Sequence, residues 1–91
     1  MTVERNVIIR NEVGLHARPA ASFVKTASKF KSNILVENLT KGKPKVNAKS
    51  ILSLLTCGVV QDDEIRITVE GTDEQEAVAA LLALVETNFA E

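Results

Sequence analysis

Residues 2–30 read TVERNVIIRNEVGLHARPAASFVKTASKF, and a change of period inside them decides the fold. Val3, Arg5, Val7 and Ile9 share one face at period two, and Val7-Ile8-Ile9 adds β-branched residues, so residues 2–10 predict a strand. Asn11 to Leu15 is a turn closed by Gly14. From Ala17 to about Phe30, Ala20, Phe23, Val24 and Ala27 fall at i, i+3, i+4 and i+7, the apolar stripe of a helix. Pro19 stands in its first turn, where a missing N–H costs no helical hydrogen bond. Lys25, Lys29 and Lys31 complement the negative end of that helix.

Working outward, Ile34, Val36 and Asn38 alternate with Leu35 and Glu37, a second strand. Lys41-Gly42-Lys43 is a loop, and Pro44 opens a third strand with Val46 and Ala48 inward, so residues 33–48 form a hairpin. Ser50 to Thr56 carries Leu at 52, 54 and 55 and stops before Gly58. A short helix fits this run best, although a buried strand has the same signature. Glu64 to Glu70 alternates, with Ile65, Ile67 and Val69 buried. Past Gly71, Thr72 with Gln75 and Asp73 with Glu76 make overlapping capping boxes. The helix they open has Val78, Leu81, Leu82, Val85 and Phe89 as its stripe. The order βαββαβα, with strands half-buried on one face, implies an α+β two-layer sandwich and a single domain over residues 1–91.

Composition narrows the function. Of 91 residues, 45% are hydrophobic and 25% charged, ordinary for a globular chain. A net charge of −1 and three Phe as the only aromatics supply neither the basic stripe nor the stacking platforms of a nucleic-acid binder. No run of 18 apolar residues occurs, and MTVERNVII lacks a signal's basic and apolar regions, so neither membrane insertion nor secretion is expected. The lone Cys57 rules out an intramolecular disulfide and makes the cytoplasm the expected compartment. One Cys and one His cannot assemble a zinc site of the usual type, so no metal is expected.

The chemistry concentrates in Gly14-Leu15-His16-Ala17-Arg18-Pro19-Ala20. The only imidazole of the chain stands at the start of the first helix, where Ser, Thr, Asp or Asn would cap better. The N–H groups of Ala17 and Arg18 point out of that end and are placed to receive an anion. The same positive end disfavours charge on the ring and leaves it nucleophilic. Arg18 brings a guanidinium matched to phosphate oxygens. A surface histidine with an incidental arginine would explain the same residues more blandly. The combination with Pro19 favours a ring that accepts a phosphoryl group and passes it on, with positioning and charge doing most of the work. No second acid or base lies within motif reach of His16, so the chain does not read as an autonomous enzyme.

GLHARPAA, then NAKSILSLL and GTDEQEAVAAL, in this order over nearly the whole chain, resemble HPr. That family comprises the histidine-containing phosphocarriers of the phosphoenolpyruvate-dependent sugar phosphotransferase system. The resemblance implies an open-faced β-sandwich, a four-stranded antiparallel sheet with three helices on one face. It makes His16 the phosphorylated residue, on Nδ1, with Arg18 assisting transfer and the Ala17 N–H near the phosphate. It implies phosphorylated enzyme I as donor, the A components of sugar-specific enzymes II as acceptors, no cofactor and a monomer. Ser50 matches the family's regulatory serine, which brings in a serine kinase/phosphorylase and transcriptional regulators as further partners; as a plain N-cap it needs none of them. Leu52 and Leu55 become the docking patch, since Ile51 or Leu54 must serve the core. Leu39 to Pro44 is a residue or two longer than in many sugar-branch carriers. The MTV start and the spacing of Ala83-Leu84 and Phe89 resemble nitrogen-branch paralogues, whose output is regulatory.

Overall fold

The computed structural model describes residues 2–89, with β1 (Thr2–Ile8), α1 (Ala17–Ala27), β2 (Asn33–Asn38), β3 (Val46–Asn47), α2 (Ile51–Thr56), β4 (Glu64–Glu70) and α3 (Glu74–Glu86). The strands form one antiparallel sheet in the order β1-β4-β2-β3. β4 takes a central place and pairs on both sides, Ile67 facing Arg5 of β1 and Val36 of β2. Its inward residues Ile65, Ile67 and Val69 are wholly buried, as a strand covered by helices requires. The three helices cover one face, so the expected βαββαβα open-faced sandwich is the observed fold. One core joins Ile34, Val36 and the β4 residues to Phe23 of α1, Leu54 of α2 and Leu81 of α3. The opposite face is polar: the Arg66 guanidinium donates to Glu37 Oε1 at 3.1 Å and to Asn6 Oδ1 at 3.2 Å.

Several boundaries differ from the sequence pattern. α1 ends at Ala27 instead of Phe30, because Lys29 N–H donates to Thr26 O and Phe30 N–H to Ala27 O, tightening the chain into three-residue turns. Only Lys25 of the three lysines therefore lies in its last turn. β3 is limited to Val46–Asn47, since Pro44 has no N–H to enter a ladder. The two capping boxes before α3 do not form. Asp73 is the N-cap, but its carboxylate reaches across to Lys31 N–H (2.8 Å), Ser32 N–H (3.0 Å) and the Ser32 hydroxyl. Glu74 instead accepts the Gly71 N–H at 3.1 Å. A long-range partner with three donors has outcompeted the local cap. Phe89 falls beyond the end of α3, in a left-handed turn at φ +64°.

Candidate functional site

Gly14 is where the local chain geometry first becomes restrictive. Its φ is +59°, and a Cβ there would run into the Val59 carbonyl oxygen and Val60 Cα, so only glycine lets the two loops approach. The turn is closed by Gly14 N–H to Asn11 O at 3.1 Å and by Asn11 Nδ2 to Gly14 O at 2.8 Å. Leu15 is then buried, and its N–H donates to Val59 O at 3.1 Å. These contacts deliver His16 to the N-cap of α1 with extended backbone (φ −76°, ψ −172°). Its carbonyl accepts the Ala20 N–H at 2.9 Å, whereas its imidazole makes no capping hydrogen bond.

His16, Ala17 and Arg18 are all exposed, while Pro19 and Ala20 are buried and anchor the first turn. The N–H groups of Ala17 and Arg18 have no partner inside the helix, and Pro19 contributes none. Among the described residues, no carboxylate pairs with the Arg18 guanidinium. An imidazole, two amide donors and a guanidinium thus share one exposed helix mouth, which suits a tetrahedral oxyanion held against a ring nitrogen.

Two hollows flank the imidazole. One, of about 130 Å³, is lined by Leu15, His16, Leu55, Gly58, Val59 and Val60. The other, open and about 580 Å³, is lined by His16, Ala17, Arg18 and Pro19 with Asn11, Val13, Asn88 and Phe89. Of the residues singled out in the sequence, His16, Ala17, Arg18 and Leu55 are brought together. Leu52 and Ser50 line neither hollow. Leu52 is 74% exposed on α2, beside the exposed Ile51 and Leu55, whereas Leu54 is fully buried. Ser50 is the N-cap of α2, its hydroxyl oxygen accepting the Ser53 N–H at 3.3 Å. Sequence reasoning missed Val13 and Val60, exposed apolar residues on the loops either side of the histidine. Their signal was the apolar character of turn positions. It also missed Asn88 and Phe89, because the helical stripe was carried through to Phe89.

No cluster of three or more His, Cys, Asp or Glu suited to a metal occurs among the described residues. No helix among them is long and apolar enough to cross a membrane.

A family model described as the PTS HPr component phosphorylation site matches residues 3–87. The chain is 45% identical to the HPr-like protein Crh of Halalkalibacterium halodurans, over 92% of this chain and 96% of the relative. It is 43% identical to the phosphocarrier protein HPr of Xylella fastidiosa, over 98% and 97%. The crystal structure of an HPr from Thermoanaerobacter tengcongensis superposes with a TM-score of 0.90 at 50% identity, covering 98% of this chain and 97% of that one.

Proposed function

We propose, from the premise that this chain belongs to the PTS HPr family of phosphocarriers, that His16 accepts a phosphoryl group from phosphorylated enzyme I and hands it to the A components of sugar-specific enzymes II. The observation that carries this reading is the exposed imidazole, without a capping hydrogen bond, beside Arg18 and first-turn amides that have no partner inside the helix. On loading, a ring nitrogen attacks phosphorus and the P–N bond forms as the donor's bond to phosphorus breaks. The charge on the three phosphoryl oxygens is met by the Ala17 and Arg18 N–H groups and the guanidinium. On unloading the ring leaves, and the same donors release the group to an acceptor that approaches in line.

The protein is then substrate and donor for other enzymes, and carries no cofactor or metal of its own. Leu55 and Val60 line the smaller hollow with His16, and the exposed Ile51 and Leu52 share the short helix of Leu55, which supports Leu52 and Leu55 as docking residues. In this reading the carrier works as a monomer in the cytoplasm. Ser50 is the regulatory position in this reading: a serine kinase would place a dianion at the start of α2 beside Leu52. That charge would slow transfer through His16 by like-charge repulsion and by blocking the docking face.

A second reading has the 45% identity to Crh, an HPr-like protein, in its favour: a paralogue, of the nitrogen branch or another, whose phosphorylation state is read by regulators. Incubation with phosphoenolpyruvate and enzyme I, followed by intact mass, tests what both share. One acid-labile, alkali-stable phosphate, absent from His16→Ala, is expected. A phosphate that survives His16→Ala, or none at all, overturns the reading. Onward transfer to an enzyme II A component then separates sugar uptake from a regulatory output.

A further inference from the structure

We propose that Asn38, Lys41 and Asp63 form a positioning cluster that fixes where His16 stands, acting through the loop between α2 and β4; its kinetic arm rests on the carrier reading above. Asn38 occupies the third inward position of β2, after Ile34 and Val36, and is wholly buried. Its Nδ2 donates to Cys57 O at 3.0 Å and to Asp63 Oδ2 at 3.1 Å, and its Oδ1 accepts the Lys41 N–H at 3.1 Å. Asp63 is 5% exposed, and the same Oδ2 also accepts the Lys41 ammonium at 2.6 Å and the Val60 N–H at 3.1 Å. Lys41 Nζ donates in addition to Gly58 O at 2.8 Å.

The cluster therefore grips the loop at Cys57 O, Gly58 O, Val60 N and Asp63. The other side of that loop belongs to the site. Val59 O receives the Leu15 N–H, the last backbone hydrogen bond before His16, and Val59 and Val60 are the surface on which Gly14 rests. Ile9 and the loop exchange two more bonds, Asp62 N–H to Ile9 O at 2.6 Å and Ile9 N–H to Asp63 O at 2.9 Å. A shift of the Asp63 carboxylate is thus passed through Val60 N and Val59 O to Leu15 N and the imidazole.

Burial alone would favour apolar residues at these positions, since a buried ion pair adds little to stability over a well-packed apolar set. What this network adds is a single geometry for the loop. A reacting group must be held to a fraction of an ångström by packed and hydrogen-bonded supports. Burial by itself would raise the Asp63 carboxyl. The hydrogen bonds from Lys41, Val60 N–H and Asn38, together with the lysine's charge, outweigh it and hold the group ionised below the usual carboxylate range.

Lys41→Met is the gentle test, because Lys41 is partly exposed and outside the core; Asp63→Asn, which keeps the shape, is the second variant. Nitrogen-15 resonances of the His16 ring and hydrogen exchange at the Leu15 and Val60 amides are read in the unphosphorylated protein. Transfer from phosphorylated enzyme I is read as rate at saturation against half-saturating concentration. Displaced ring resonances, exchange at Leu15 and Val60 quickened by a larger factor than at the β1 and β4 amides, and a saturating rate lower by on the order of tenfold are expected. Unmoved ring and Leu15 signals, or exchange that quickens equally through the sheet, overturn the proposal. Should the unaltered protein take up no phosphoryl group, the carrier reading fails while the ring and amide signals still decide the cluster's role.

Discussion

At the scale of the residue, the site depends on groups left unpaired among the described residues. A serine or aspartate at position 16 would satisfy a first-turn amide and stabilise α1 by about 1 kcal/mol, yet would remove the imidazole on which the carrier reading rests. The exposed imidazole forgoes that cap. Arg18 is the corresponding charge, and because it is exposed its loss touches little of the fold. Arg18→Ala is expected to slow onward transfer about 10- to 100-fold while changing stability by less than about 0.5 kcal/mol. Transfer kinetics beside a thermal melt check this, and an unchanged rate would remove Arg18 from the mechanism. The exposed placement of His16, Ala17 and Arg18 at the start of α1 was legible, because the period changes there and Pro19 fits a first turn. Asn88 and Phe89 were not, because their place beside the histidine comes from chain folding over a long separation.

At the scale of the element, α2 shows how one short helix divides its faces. Leu54 goes wholly into the core and Leu52 faces solvent, as 3.6-residue spacing dictates once one of them is buried. Ser50 caps it with a 3.3 Å bond, so the cap contribution is small for its type. Ser50→Ala is expected to cost about 0.5–1 kcal/mol and leave transfer nearly unchanged. Ser50→Asp keeps the cap and places a negative charge beside the docking leucines. It should melt like the unaltered protein but show a raised half-saturating concentration for enzyme I. Equal transfer by both variants would reduce Ser50 to a helix cap. The strand and helix order was readable wherever the period is clean over its run; Ser50 to Thr56, too short and too apolar for that, left helix and strand both open until α2 was seen. The caps of α3 were misread because Asp73 had two apparent uses, and only the tertiary position of Lys31 and Ser32 decides between them.

At the scale of the whole molecule, two aspartates tie segments distant in sequence. Asp63 holds the hairpin to the loop before β4, and Asp73 holds the connection between α1 and β2 to the start of α3. Hydrogen bonds from the Ser32 hydroxyl and from the Lys31 and Ser32 amides hold the Asp73 carboxyl below its ordinary value, and Asp63 lies low as well. A depressed folded-state pKa contributes stability that is complete above the unfolded carboxylate value of about 3.9 and is lost as the pH falls through the folded value. The melting temperature should therefore hold nearly level from pH 7 to 5 and fall below about pH 4. Asp63→Asn should melt lower at pH 7 and show a shallower acid fall. A melting temperature that rises on acidification would contradict the assignment. None of these ties was visible from the sequence, where Asn38 appeared only as an inward strand position and Asp63 as one acid in the run Asp62-Asp63-Glu64.

The central claim is that the phosphoryl group rides on the His16 ring against the open amides of α1. Its most direct test is nitrogen-15 and phosphorus-31 NMR of the protein loaded with phosphoenolpyruvate and enzyme I. A phosphorus–nitrogen coupling to His16 Nδ1, with the Ala17 and Arg18 amide protons moved downfield together, is the predicted result. Phosphorus coupled to Nε2 or attached elsewhere, with those two amides unmoved, would contradict it.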